Sequence, residues 1–257
     1  MASTIILVRV QAKGGKFLGP DAPYSQVTLT DIATGNVLAR GTASGGSGNL
    51  SGTFEPSCTR QPIVTTQPSG AQGIQWLSAL PPTTPPAAGF TATLDLEAPA
   101  FVRFTAESLT DATPNGHSVS ETMWVTPGAD LAAEPGVVLV IPGLIVKVLS
   151  AAVSGSALSV TAWVTMMCGC KIDPALPWLP TEFTVSATVT DSSGTSVTAA
   201  PVPLIFRTTS TFSTSTPIAL PGPGTYTLTV DAVQPAEANV GSASTIVISA
   251  REPSEAT

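Results

Sequence analysis

Charged side chains are scarce in this chain: Asp, Glu, Lys and Arg make up 11% of 257 residues, against a globular norm of about 25%. The scarcity is not that of a disordered chain. Disorder goes with high net charge and few β-branched residues, whereas Thr, Ser, Ala, Val, Gly and Pro fill the sequence and 43% of it is hydrophobic. The net charge is −7 and no cluster of Lys or Arg occurs. Nucleic acid and anionic membranes, which are held through basic patches, are therefore excluded as charge-driven partners. Long apolar runs are also missing. The most apolar stretch, 137–149, is broken by Pro142-Gly143, so no segment reaches the length of a transmembrane helix.

Histidine is nearly absent. A Ser-His-Asp or Cys-His relay would have to use His117, which follows the turn residues Asn115-Gly116 and is expected at a hairpin tip. No Gly-x-Ser-x-Gly elbow, phosphate-binding glycine loop or EF-hand calcium loop accompanies it. Asp95 and Glu97 share one face of an expected strand and could be a carboxylate pair, but a solvated face accounts for them equally well. These gaps argue against an enzyme, although fold and composition alone do not decide function.

Cysteine is limited to Cys58, Cys168 and Cys170. A bridge within Cys168-Gly169-Cys170 would be strained if that stretch is extended, because partners two apart then sit near the upper limit of Cα separation and point the same way. A bridge from Cys58 to one of the pair would close a loop of more than a hundred residues, leaving one thiol free. Three free thiols is the other outcome, and nothing in the sequence sets the distance between Cys58 and the pair. No signal peptide is visible at the start: the apolar run 4–10 is too short and lacks a basic lead. The Thr/Ser/Gly/Pro-rich composition nonetheless suggests an exported, extracytoplasmic protein, periplasmic or secreted, whose signal is not in this chain.

What is abundant is alternation. Residues 4–10, 26–30, 37–40, 90–96, 101–106, 118–125, 145–149, 158–167, 183–190, 203–207, 211–216, 224–232 and 244–250 read as strands, with shorter candidates at 50–55 and 62–66. Turn residues separate them at Asp31–Asn36 and Asp191–Gly194. A Pro-rich loop, 67–88, carries Trp76, a candidate binding anchor that could instead pack back onto a sheet. A linker near 126–135 divides the chain into a domain of residues 1–136 and a second of residues 137–257 that ends in a polar tail, 251–257. No helix is expected. The fold class is all-β, two β-sandwich domains in tandem.

Two resemblances fit that reading. The strand, Asp-x-x-Thr-Gly turn, strand and Gly-rich turn of Val27 to Asn49 resemble prealbumin-like and carboxypeptidase-regulatory-like sandwich domains. The match covers about 25 residues and implies a sandwich but no catalytic residue. Three stretches of the second half, Thr188 to Gly194, Pro221 to Val230 and Asn239 to Gly241, resemble bacterial immunoglobulin-like or fibronectin-type repeats.

One stretch departs from such a repeat: Trp163-Val164-Thr165-Met166-Met167-Cys168-Gly169-Cys170-Lys171-Ile172. Continued as a strand, it would place Met166, Cys168 and Cys170 on one face. A thioether and two thiols form a soft donor set suited to Cu(I), and His117 is a possible fourth ligand. The spacing is not that of a zinc site, which needs Cys-x-x-Cys and a second ligand pair. The expectation is therefore a non-catalytic bacterial sandwich module that binds a protein partner or self-assembles through sheet edges, with no cofactor. The alternative is a copper-binding protein using Met166, Cys168 and Cys170.

Overall fold

The computed structural model describes residues 3–19, 24–45, 49–50, 62–63, 88–109, 117–133 and 136–250. Cys58, Trp76, the rest of the Pro-rich loop up to Ala87 and the tail 251–257 lie outside the described residues, as do most of the strand candidates at 50–55 and 62–66. The all-β expectation holds. Among the described residues there is no α-helix, only short 3-10 turns at Pro180–Glu182 and Pro235–Glu237.

The chain divides into two compact units. In the first, β1 (Thr4–Ala12), β2 (Tyr24–Asp31) and β3 (Val37–Thr42) are followed by the two-residue pair β4 (Asn49–Leu50) and β5 (Pro62–Ile63), then by β6 (Phe90–Leu94), β7 (Ala100–Leu109), β8 (Ser118–Val125), β9 (Asp130–Leu131) and β10 (Val137–Ile141). One sheet has the order β10-β1-β6, with β9 also on β1; the other runs β3-β2-β7-β8. Period-2 patterning decides the inward faces. Ile6, Val8, Val10 and Ala12 of β1 are fully buried, as are Val27 and Leu29 of β2 and Val102, Phe104 and Ala106 of β7. The hairpin turn from Asp31 to Asn36 forms as the sequence suggests: the Asp31 carboxylate accepts from the Ala33 amide and the Thr34 hydroxyl.

The first unit runs through Pro142 and takes in Met167–Cys170, so it extends past the division expected at residue 136. The reason is pairing. The apolar run at 137–141 lies parallel to β1, from Val8 opposite Val137 to Ala12 opposite Ile141. Leu139 and Ile141 face inward while Val140 is exposed, but the uniformly apolar run Val137-Val138-Leu139-Val140-Ile141 carries no sign in the sequence of which neighbour it joins.

The second unit contains β11 (Leu144–Ser154), β12 (Ala157–Met166), β13 (Thr184–Asp191), β14 (Val202–Thr208), β15 (Thr211–Thr214), β16 (Ile218–Ala219), β17 (Gly224–Gln234) and β18 (Asn239–Ser249). Its sheet has the order β11-β12-β15-β14-β13-β17-β18, with β16 on β12. Register breaks at Val148/Ser150 in β11 and Phe206/Thr208 in β14 bend the sheet. The alternating Leu158, Val160, Ala162, Val164 and Met166 of β12 are all buried. β18 starts five residues before the 244 expected from sequence. The buried Asn239 is satisfied by side-chain bonds, accepting from the Gly143 amide at 3.0 Å and donating to Gln234 at 3.0 Å. At Gly241 the backbone of Leu144 comes so close that a side chain would collide with it.

Candidate functional site

The stretch around the cysteine pair begins as expected and then turns. β12 ends at Met166, Met167 and Cys168 form a turn, and Gly169 adopts φ +74°. A left-handed residue in that position reverses the chain, and only glycine takes it without steric cost. Thr165 and Lys171 then bridge antiparallel, closing the loop. The strand face that would have aligned Met166 with both thiols therefore does not extend beyond Met166. Met166 is wholly buried on the inward face of β12, opposite Leu144. Met167, expected on the other face, is also wholly buried and accepts a hydrogen bond from the Ser108 hydroxyl at 3.3 Å.

Cys168 and Cys170 do come together. Both are half-buried free thiols, and the Cys170 thiol is hydrogen-bonded to the Cys168 sulfur. The backbone N–H groups of Lys16 and Cys170 also donate to that sulfur, and the Lys16 ammonium adds a positive charge nearby. The turn supplying Lys16 is itself well held. Gly15 N–H donates to Ala12 at 2.9 Å, Ala12 N–H to Lys16 at 2.9 Å, Lys13 N–H to Ile141 at 2.9 Å, and the Gln11 amide to the Gly15 carbonyl at 3.3 Å. Gly15 leaves room for the sulfur: a Cβ at that position would lie 3.1 Å from Cys168 Sγ.

These contacts set the two thiols apart. Burial pushes the Cys168 thiol up, but the Cys170 hydrogen bond, the two backbone donors and the Lys16 charge together outweigh it and hold its pKa below the ordinary value. Cys170 moves the other way. Its proton is held by the bond to Cys168, and burial and the neighbouring sulfur's charge further oppose its loss.

His117 immediately precedes β8 and is half-buried. Burial lowers its pKa, partly opposed by the hydrogen bond that its ring donates to the Pro142 carbonyl. Among the described residues, no group of three His, Cys, Asp or Glu side chains comes together as a metal-holding cluster. Trp76 lies outside the described residues. The exposed tryptophan that the structure does describe is Trp124, 67% exposed near the end of β8. Its ring meets that of its cross-strand neighbour Phe101 at a centroid distance of 5.2 Å and an interplanar angle of 36°.

Two features of this geometry were missed in the sequence. In sequence, Lys13-Gly14-Gly15-Lys16 reads as a plain turn after the first strand and Trp124 as one residue of the strand at 118–125. The paired glycines between lysines were the one available hint of close backbone approach. No family model matches the chain, and no curated protein matches it.

Proposed function

We propose that this chain is a non-catalytic, exported bacterial β-sandwich module that works by binding protein surface, in the first place a second copy of itself. The observation that carries this reading is the exposed Trp124 on β8, stacked against the half-buried Phe101 of β7. A rigid aromatic pair has a large apolar area and little side-chain entropy to lose, the profile of an interface anchor. β8 lies at the end of its sheet order and, among the described residues, pairs only with β7. Its outer backbone edge is available for strand addition, and two copies related by a two-fold axis would pair β8 with β8 antiparallel. The low charge content and the Thr/Ser-rich strands suit an exported sandwich. For the second unit we favour an immunoglobulin-like kinship. The Tyr226 hydroxyl, near the start of β17, donates to the Gly222 carbonyl at 2.8 Å, an arrangement akin to the tyrosine corner of such sandwiches.

The test is light scattering behind size exclusion over a concentration series, with Trp124→Ala alongside. A mass that rises toward the dimer in the parent but stays monomeric in the variant supports the reading. A parent that remains monomeric at every concentration, or a variant that associates as well as the parent, overturns it.

The thiol pair supports a second reading, soft-metal binding. Two adjacent sulfurs are a Cu(I)-selective donor pair, and Cys168 and Cys170 would be the ligands, without Met166 on a common strand face and with the His117 ring engaged by Pro142. Copper content after expression with copper, compared with a Cys168→Ser/Cys170→Ser double variant, decides it. Equal content in the two ends the copper reading.

A further inference from the structure

β8 is not the only strand that ends a sheet order. We infer that β18 of the second unit is a self-complementary edge, and that two copies of this chain join there antiparallel about a two-fold axis at Ser244. The inference concerns a different strand from β8 and does not rest on the reading proposed above.

β18 pairs, among the described residues, only with β17, in an unbroken ladder from Gln234 opposite Asn239 to Gly224 opposite Ser249. Residues 240–249 enter no backbone hydrogen bond outside that ladder among the described residues, so the N–H and C=O groups of the other edge are available to a further strand. Edges are ordinarily blunted by charge, proline or a bulge. Here residues 238–250 contain neither a charged side chain nor proline, and the register with β17 has no shift. The even-numbered side chains point away from the core. Val240, Ile246 and Ile248 are 57%, 61% and 71% exposed, and Ser242 and Ser244 between them are exposed as well. Gly241, on the opposite face, meets Leu144 of β11 instead.

The positions of the three apolar side chains select a second copy as the occupant. Val240 stands at one end of the outward series, Ile246 and Ile248 at the other. Antiparallel reversal about Ser244 sets Val240 of one copy opposite Ile248 of the other and diagonal to its Ile246, and the two-fold axis repeats the match at the far end. All three exposed apolar residues are then covered by their counterparts. Charge does not oppose the contact. On this face β17 carries one charge, Asp231, opposite Ser242. Strand spacing and rise place the Asp231 residues of the two copies roughly 20 Å apart, beyond the screening length of about 8 Å at physiological salt. Eleven residues a side is about half of the 20–30 in a standard interface, and the edge has no aromatic anchor. The contact is therefore weak, and it forms at concentrations above those at which an interface anchored by Trp124 pairs. Where both edges pair, two separate two-fold contacts on one chain carry assembly past the dimer.

The test is disulfide trapping in the full chain carrying Cys58→Ser, Cys168→Ser and Cys170→Ser, with either Ser244→Cys or Ser242→Cys added. Both serines are exposed on the same face. The two-fold register brings position 244 against itself but separates the two copies of position 242 by four residues, about 13 Å along the strand. Under a mild thiol oxidant, Ser244→Cys should link into dimers at least about tenfold faster than Ser242→Cys, after correction for each thiol's own alkylation rate, because only the former meets disulfide geometry. Ile248→Lys should slow linking at 244 at least about fivefold by removing the cross-strand apolar pair. Trp124→Ala should leave that linking in place, so the fate of the β8 reading is seen separately. Should the cysteine-free chain fail to fold, light scattering of concentrated, reduced chain carrying Trp124→Ala decides the matter. Val240→Asp and Ile248→Lys should each abolish its residual association, and mixing the two variants should restore it, since position 240 lies opposite 248. Equal linking at 242 and 244, no linking at either, linking at 244 that ignores Ile248→Lys or disappears with Trp124→Ala, or variants that do not recover on mixing would overturn the inference. Capture of a different extended chain on this edge without self-linking would overturn the second copy as its occupant.

Discussion

Gly241 offers the sharpest test of how the second unit is closed. A Cβ there would run into the Leu144 carbonyl, with the carbonyl carbon at 2.9 Å and the Leu144 Cβ at 3.0 Å. The obstacle is backbone, which cannot swing aside as a flexible side-chain tip can. Overpacking of this kind costs about 1–3 kcal/mol, offset by roughly 0.4–1 kcal/mol from the stiffer unfolded chain when Gly becomes Ala. Gly241→Ala should therefore destabilise by about 1–2 kcal/mol on balance. Two other glycines of the same unit isolate the terms. Gly194 meets nothing within 4 Å but has φ +84°, so Gly194→Ala feels conformational strain alone, about 1–2 kcal/mol before the same offset. Gly222 also meets nothing within 4 Å and lies outside the left-handed region. Gly222→Ala should be neutral or stabilising by a few tenths to about 1 kcal/mol. Urea unfolding followed by tryptophan fluorescence measures all three, because Trp178 is buried and Trp163 half-buried in this unit. If Gly241→Ala proves as stable as Gly222→Ala, β11 does not approach β18 as described.

Tyr226→Phe removes the hydroxyl that donates to Gly222 and should cost about 1 kcal/mol in the same urea assay. Met166→Leu, a volume-conserving exchange at a fully buried position, should cost less than about 1.5 kcal/mol, whereas Met166→Ala should cost about 2–5 kcal/mol; a copper content that falls in Met166→Leu would contradict its placement in the core. His117 supplies a pH dependence. Its folded pKa lies below the unfolded value near 6.5, because burial disfavours the charged ring, so the unfolded state takes up the proton first and stability falls as pH drops from about 6.5 toward the folded pKa. His117→Gln should flatten that stretch of the stability-versus-pH curve, and an unchanged slope would show that other groups govern it.

The strands were legible because sheet burial imposes a two-residue period on the sequence. Ser118–Val125 coincides with its expected bounds, and the strand expected at 158–167 buries Leu158, Val160, Ala162, Val164 and Met166 in alternation. The two Asp-led turns were equally legible, since their hydrogen bonds are local. Asp31 holds Ala33 and Thr34, and Asp191 holds Ser193 and Thr195. Errors arose where a distant partner overrides local pattern. The run at 137–141 joins β1, some 130 positions upstream, and the last strand, expected from 244, starts at Asn239, where Gly143, Leu144 and Gln234 pack against Asn239 and Gly241.

The cysteine pair shows both kinds of information at once. Its identity and spacing are local and stand in the sequence itself. Its geometry turns on Gly169, whose positive φ no alternation pattern announces, because glycine is compatible with the extended strand as well. The difference between the two sulfurs is more remote still. Beyond the hydrogen bond between the two thiols themselves, it draws on a backbone donor and the charge of Lys16 and on the space left by Gly15, in a turn about 150 residues earlier in the chain. This ordering has a consequence for substitution. Gly15→Ala leaves the Cys-Gly-Cys sequence untouched, yet it would put a methyl group 3.1 Å from Cys168 Sγ and from Ala12 Cβ. That is tight enough to displace the sulfur from its backbone donors, so alkylation of Cys168 should slow relative to Cys170 while the global unfolding free energy changes little. Competitive alkylation with peptide mapping reads the ratio directly. An unchanged ratio would mean that the preference for Cys168 is set within its own loop and owes nothing to the Lys13–Lys16 turn.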